Sequence, residues 1–262
     1  MIEDLAIESF WTFLTLHAAM MIALLVYALR TGRYAIVDAG WSVGMVCGAL
    51  VLADFESLRS WLITGLLLVW GMRLSLHLIR HRVLTQHQDK RYLAMHTWLG
   101  SWNVLGFAML FIGQTVFVGL FLLPWLAALQ ARTAWTALDA LGLSIGLLAI
   151  AGERVADRQL AAFRADPQQR GRVMQSGMWR YSRHPNYFFE WLHWSAYIFF
   201  TAGTAFWWLG VLAPVMMYGF LLYATGVPHL EREAVKSRGA AYQSYQLTTN
   251  RFWPWKPRKH PV

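Results

Sequence analysis

Long apolar stretches recur along this chain at about residues 10–29, 36–53, 61–79, 103–127, 135–152, 187–202 and 206–227. A helix needs roughly 20 consecutive apolar residues to cross a hydrocarbon core about 30 Å thick, and most of these stretches approach that length. The expected fold is all-α: a polytopic membrane protein of about seven transmembrane helices, built as one membrane domain over residues 1–262. The fifth stretch is short and Gly-rich and the sixth carries Glu190 and His193, so six spans remain an alternative at those two places.

Composition points the same way. Of 262 residues, 57% are hydrophobic and only 14% charged, which is far from the balance of a soluble domain. The single cysteine, Cys47, stands inside an apolar run, where a small buried residue is expected. One cysteine supports neither a disulfide framework nor a Cys-ligated metal site. No cleavable signal peptide is expected, because Glu3, Asp4 and Glu8 occupy the place of a basic leader segment.

A net charge of +9 would suggest nucleic acid in a soluble protein. Here the positions of the charges argue otherwise. Twenty of the 23 Lys and Arg residues fall on alternate loops: Arg30 and Arg33, then Arg80 to Arg91, Arg154 to Arg183, and Arg232 to Lys259. That asymmetry sets topology, with the N-terminus outside and the C-terminus cytoplasmic, and it leaves no role for nucleic acid. Topology does not account for the length and polarity of two cytoplasmic segments, 153–186 and 228–262, where function is expected to concentrate.

In the first of these, Glu153, Asp157 and Arg164 fall near one face of a helix that runs out of the fifth span. Pro167 and Gly171 mark a turn. Ser176-Gly-Met-Trp-Arg-Tyr-Ser-Arg-His-Pro-Asn-Tyr-Phe-Phe-Glu190 follows, with Pro185 in the first turn of the sixth span. Free backbone N–H groups and the positive end of that helix dipole meet Arg180, Arg183 and His184, an arrangement suited to phosphate.

The Gly-Met-Trp-Arg-Tyr-Ser-Arg-His-Pro-Asn-Tyr run resembles the bacterial branch of the steroid 5-alpha-reductase-like superfamily. In the eukaryotic reductases an Asp is followed seven, fifteen and twenty-nine residues later by Arg, Arg and Asn, then by Glu four further on. Here those places read Asp157, Arg164, Arg172, Asn186 and Glu190 without a gap. The resemblance implies an NADPH pocket, with Arg164 and Arg172 on phosphates and Asp157, Asn186 and Glu190 on the nucleotide, and Tyr187 nearby. The C-terminal part is similar too, and the likeness implies His229, Glu231 and Tyr242 as pocket residues.

It further implies a lipophilic substrate reached from the lipid bilayer, a bacterial inner-membrane location, and residues 1–130 as substrate-cavity helices beside a cofactor half, 131–262. Isoprenylcysteine carboxyl methyltransferases and phospholipid N-methyltransferases carry a similar Arg-His-Pro-x-Tyr element for S-adenosylmethionine, so a methyltransferase is the alternative. Two arginine forks favour the phosphorylated cofactor, since S-adenosylmethionine has no phosphate. A lipid-binding membrane component without catalysis is the third reading, its basic rim meeting anionic headgroups.

Reduction of a carbon-carbon double bond conjugated to a carbonyl needs a proton donor where negative charge develops on oxygen. The family's Gln-Glu pair on the second span and Tyr on the third have no counterpart. The second span offers Asp38 and the third Arg73, His77 and Arg80, with Tyr92 following in the loop. Tyr92 is the expected donor and Asp38 its expected catalytic companion; the plainer alternatives are an interfacial anchor for Tyr92 and an Asp38–Arg73 bridge between two helices. The nine His residues show no ligand spacing, so no metal is expected.

Overall fold

The computed structural model describes residues 2–84, 89–130, 134–224 and 226–258, and every regular element among them is helical. The chain divides into two compact units, Met1–Ala134 and Trp135–Val262. The first holds α1 (Ile2–Thr31), α2 (Ile36–Leu52), α3 (Leu58–Leu78, ending in a π turn, Ile79–Val83), α4 (Lys90–Leu99) and α5 (Asn103–Gln130). The second holds α6 (Ala137–Ala165), α7 (Pro185–Thr201), α8 (Trp207–Gly219, ending in a π turn, Phe220–Ala224), α9 (Val227–Arg238) and α10 (Ala240–Thr248).

Four helical runs, Ile7–Thr31, Leu58–Val83, Arg91–Gln130 and Trp207–Arg238, are long and apolar enough to cross a membrane. The other expected spans are helical as well: α2 and α7 are 17 residues each, and α6 is longer but carries Asp139 and Glu153. Trp11, Leu16, Val51, Trp61, Met109, Val116, Leu148 and Val215 point outward and are all more than half exposed. A surface with so many large apolar side chains is matched to hydrocarbon rather than to water.

Within the first unit, small residues let the helices approach closely, as they must where no hydrophobic force acts between helices in lipid. Gly40, Gly44 and Gly48 form a stripe on α2 that receives Met21, His17 and Phe13 of α1, with Val118 and Leu122 of α5 alongside. A Cβ on Gly44 would lie 2.2 Å from Nε2 of His17, whose Nδ1 bonds Oγ1 of Thr115 at 2.9 Å. One expectation is corrected: Cys47 is exposed rather than buried, as are Leu50 and Val51 in the turn that follows it.

The antiparallel register of α2 and α3 is fixed where Ser75 Oγ donates to Ser42 Oγ at 3.0 Å. Asp38, one turn earlier on α2, is therefore level with the end of α3 and its π turn. It does not bridge to Arg73, which lies deeper along the helix; it pairs with Arg82 instead.

The second unit is built on the face-to-face pair α6 and α7. A capping box opens α6, with Thr136 N donating to Asp139 Oδ2 and Asp139 N to Thr136 Oγ1. Gly142 and Gly152 then admit Ala196, Phe199 and the Phe189 ring of α7. The expected helix Glu153–Arg164 is the last part of this same 29-residue element. Asp166 and Pro167 stop it: the Asp166 carboxylate accepts from Gln168 N at 2.9 Å, forming a turn in place of another helical step.

Candidate functional site

The polar end of the second unit is assembled by the segment between α6 and α7. That segment folds back on α6, where Met178 N donates to Gln159 Oε1 and Trp179 Nε1 to the Ala156 carbonyl, both at 3.0 Å. Gly177 permits the approach: its φ is +59° and a Cβ there would lie 2.5 Å from the Gln159 side chain.

Arg183 and His184 follow, and both are buried. Arg183 Nε donates to Glu231 Oε1 at 2.6 Å, and its Nη1 donates to the carbonyls of Gln246 at 3.0 Å and Thr249 at 2.6 Å. The guanidinium thus closes the C-terminus of α10, where carbonyls lack helical partners and the dipole favours a cation. His184 Nε2 lies 3.3 Å from the same Glu231 oxygen; that nitrogen carries the proton, because the carboxylate can only accept. Burial is the main force lowering the His184 pKa, with Glu231 acting against it. Gln246 Nε2 adds a third side-chain donor to Glu231, at 3.2 Å.

The anchor continues through the tail. Ser182 Oγ donates to the Phe252 carbonyl at 2.7 Å, Arg183 N to that of Asn250 at 2.9 Å, and Tyr245 OH to that of Trp179. The phosphate reading of this helix start needs Arg183 and His184 to face outward with free donors. They do not: both are buried against Glu231, and the C-terminal segment bonds to Tyr181, Ser182 and Arg183 just ahead of α7. Tyr187 stacks on His184 with ring centroids 5.7 Å apart, and Glu190 is buried with Oε1 accepting from Trp194 Nε1 at 3.1 Å. His229 is half-buried at the start of α9.

The remaining expected residues lie along the last part of α6, on the segment after it and at the start of α7. Asn186 Nδ2 donates to Asp157 Oδ1 at 3.1 Å, which unites two positions 29 residues apart. Arg164, on the same helix as Asp157, is exposed; partial desolvation and then the like charge of Arg238 press its guanidinium below the usual arginine value, while Asp157 works the other way. Arg172 is exposed too, and its carbonyl accepts from Arg238 Nε at 2.9 Å. Tyr242 is buried and its hydroxyl is pushed up to about 12, by burial first and by Glu231 second. Among the described residues, Arg164, Arg172, Arg180 and Arg238 form no ion pair.

Arg180 lines an open cleft of about 410 Å³ together with Gln175, Ser176, Gly177, Thr248, Thr249 and Pro257. Among the described residues, no carboxylate lines this cleft.

In the first unit, the two expected catalytic residues touch. Tyr92 OH donates to Asp38 Oδ1 at 2.6 Å, while Arg82 and Arg91 both donate to Oδ2, the latter at 2.7 Å. Asp89 caps α4 through Arg91 N and also accepts from the Arg91 guanidinium at 2.7 Å. The carboxylate of Asp38 is therefore held by three donors, and the buried Tyr92 spends its proton on it. His77 lies exposed, with its ring 4.7 Å from that of His81.

Sequence reasoning passed over Arg238, which had been counted as a topological charge, and over Tyr245 and Gln246. The Tyr-Gln-x-Tyr-Gln pattern at 242–246 was the available signal for the last two. Among the described residues, no three His, Cys, Asp or Glu side chains are grouped closely enough to hold a metal ion.

These features define an all-helical chain of apolar, membrane-crossing length whose polar residues gather at the helix ends. A family described as "Protein of unknown function (DUF1295)" matches residues 24–249; the chain belongs to that family, which lies in the steroid 5-alpha-reductase-like group. No curated protein matches the chain, and no solved structure does.

Proposed function

We propose that this protein is an NADPH-dependent membrane reductase that reduces a carbon-carbon double bond in a lipophilic substrate. The observation that carries the reading is that Asn186 closes on Asp157 at 3.1 Å, while Arg164, on the same helix, and Arg172, on the segment after it, form no ion pair among the described residues. Unpaired guanidiniums beside a hydrogen-bonded Asp–Asn pair fit a phosphorylated nucleotide, the arginines meeting phosphate oxygens and the acid and amide meeting hydroxyl or amide groups.

In this reading the buried Arg183, His184 and Tyr242 and the half-buried Glu231 brace the polar end of the second unit, and Glu190 stabilises α7 through Trp194. When bound, NADPH supplies the hydride. The chain itself must supply the proton to the substrate oxygen, and Tyr92 is the residue we assign to that step, with Asp38 holding its hydroxyl in one orientation. Asp38 must release that hydroxyl before the proton can move, so the step costs one strong hydrogen bond.

Seven crossings with the C-terminus in the cytoplasm complete the proposal, on the strength of the basic residues. Fusions of a periplasmic enzyme and a cytoplasmic fluorescent reporter to the C-terminus test it; activity of the periplasmic reporter would reverse the assignment.

The direct test is thermal stability of detergent-purified protein with added NADPH or S-adenosylmethionine, since a ligand that binds only the folded state stabilises it by mass action. NADPH should raise the melting temperature, and Arg172→Ala should keep the ligand-free melting temperature while losing the shift. A shift with S-adenosylmethionine alone would reassign the Arg-His-Pro element to methyl transfer.

A further inference from the structure

We propose that the cleft at Arg180 seats the phosphodiester headgroup of an anionic phospholipid, and that the C-terminal tail, residues 250–258, lies at the membrane surface beside it. The seat shares no residue with the cofactor reading above and stands or falls apart from it.

The tail is fastened along its length. The carbonyls of Asn250 and Phe252 accept from Arg183 N and Ser182 Oγ, Trp255 N donates to the Tyr181 carbonyl at 3.0 Å, and Arg258 N returns to the Thr248 carbonyl at 2.7 Å. The last of these bonds folds the tail back over the end of α10, so that Pro257 becomes a wall of the cleft. The Trp253 ring lies 4.9 Å from that of Trp191 in the second turn of α7 and 6.2 Å from that of Tyr218 in the last turn of α8. The tail therefore sits at one end of these two helices, where the apolar elements give way to polar segments. Trp253 and Trp255 are nevertheless 48% and 72% exposed, and Tyr181 beside them is exposed too. Indole and phenol rings exposed at the ends of membrane helices suit the headgroup level of a bilayer, where one side of the ring meets hydrocarbon and the other meets water. Lys256 and Arg258 are exposed on the same stretch, and no acid follows Glu233 in the sequence. A surface of that charge is drawn to an anionic leaflet.

The chemistry of the cleft selects the headgroup. Arg180 is exposed there and its guanidinium forms no ion pair among the described residues. The Ser176 hydroxyl, also in the lining, donates to the Met174 sulfur at 3.6 Å, a weak acceptor that it can exchange for an oxygen. A phosphodiester offers two unesterified oxygens and one negative charge, which match a single planar guanidinium fork. A zwitterionic headgroup brings an ammonium as well, and the lining supplies no carboxylate to receive it. A headgroup that ends in hydroxyls meets Ser176 and the Gln175 amide instead. The cleft, at about 410 Å³ and open on one side, is of headgroup size, which leaves the acyl chains to the bilayer beside Trp253 and Trp255.

The test follows the melting temperature of the detergent-purified full chain while phosphatidylglycerol, phosphatidylcholine or inorganic phosphate is titrated in, both lipids delivered in the same uncharged detergent at one fixed salt concentration. Phosphatidylglycerol should stabilise wild type saturably, and phosphatidylcholine at the same mole fraction should not. Arg180→Gln should raise the half-saturating mole fraction about 10- to 100-fold, the size of one lost charge-assisted hydrogen bond, and leave the lipid-free melting temperature unchanged. Arg180→Lys keeps the charge without the fork and should give an intermediate loss, which covers a failure of the Gln variant to fold. Trp255→Ala should give a smaller loss of the same sign. Arg232, an exposed arginine on α9 outside the cleft, reports general loss of charge, and Arg232→Gln should respond as wild type does. Equal stabilisation by the two lipids, a wild-type response in both Arg180 variants, or an equal loss in Arg232→Gln overturns the seat. Stabilisation by inorganic phosphate without phosphatidylglycerol makes the cleft a site for a soluble anion and overturns the lipid assignment. Loss of an NADPH-induced shift in Arg180→Gln, with the phosphatidylglycerol response kept, gives the cleft to the dinucleotide and overturns it as well. Failure of NADPH to bind wild type removes the cofactor reading and leaves the lipid seat standing if the phosphatidylglycerol response holds.

Discussion

The guanidiniums of the first unit and the open ones of the second obey opposite rules. Arg82 and Arg91 close on Asp38 and Asp89, and Tyr92 adds its hydroxyl, so charge is balanced within the cluster. Arg164, Arg172 and Arg238 form no ion pair among the described residues, and Arg238 bonds only to the Arg172 carbonyl and the Ser237 hydroxyl. The second unit also contains a closed example, Arg183 on Glu231, only a short distance along the chain from the open ones. A closed charge is architecture: it holds helix ends in register, and its removal should cost stability. An open charge stores no such energy and serves an outside partner.

Arg183 should show the largest effect. Its replacement by Met takes the Arg183 donors from the half-buried Glu231 carboxylate and from the carbonyls of Gln246 and Thr249, and the expected loss is about 3 kcal/mol in reversible denaturation. Such a protein will accumulate poorly in membranes, and Glu231→Gln combined with Arg183→Met should recover part of the loss because the stranded charge is gone. A cost below about 1 kcal/mol for Arg183→Met would place it with the open arginines and break the comparison.

The Asp38 clamp comes next. Asp38→Ala removes one acceptor from three donors that are partly reached by solvent, so a loss of about 1.5–3 kcal/mol is expected. Tyr92→Phe should cost about 1 kcal/mol by itself and almost nothing once Asp38 is Ala, since the two changes remove the same bond. Additive losses would mean that the hydroxyl has another partner. If Tyr92 also delivers the proton, Tyr92→Phe should abolish turnover while leaving the NADPH-induced thermal shift intact.

His184 gives the closed knot a pH signature. Burial lowers its folded-state pKa, so the folded protein resists the proton that the unfolded chain accepts near pH 6.5. The stability it contributes is complete above that value and is lost as pH falls toward the lower folded pKa. The unfolded state binds more protons throughout that window, and the slope is at most about 1.4 kcal/mol per pH unit. Chemical denaturation of wild type and His184→Gln between pH 7.5 and 5.5 checks the sign: wild type should weaken on acidification more steeply than the variant.

How much of this the sequence disclosed follows from the range of each interaction. The helices were legible because apolar length is local, whereas Asp157 and Asn186 were assigned to one site only by the family resemblance, and their direct hydrogen bond was not foreseen. Arg183 was not. An arginine ahead of a helix start reads as an anion ligand until Glu231, 48 residues on, is seen to take it. The partner of Asp38 was hidden for another reason: the Ser42–Ser75 register and the π turn at Ile79–Val83 decide which arginine comes level with it, and neither leaves a mark in the apolar pattern. Cys47 was placed on the wrong side of α2 because an apolar run on a membrane helix has two apolar faces, one for lipid and one for protein.

The smallest expected effect separates the two rules most sharply because its sign is reversed. Arg164→Gln removes a charge that Arg238 repels and that Asp157 only partly offsets. In the absence of ligand the variant should therefore be as stable as wild type or slightly more stable, within about 0.5 kcal/mol for so exposed a position. Raising salt from 50 mM to 500 mM screens the repulsion, so wild type should gain on the variant as the Debye length shortens. With NADPH present the order should invert, because the arginine then has an anion and the glutamine does not. A loss of 2 kcal/mol or more in the ligand-free variant, roughly the cost of breaking a closed pair, would show that Arg164 is architecture like Arg183, and it would lose its claim to be a binding residue.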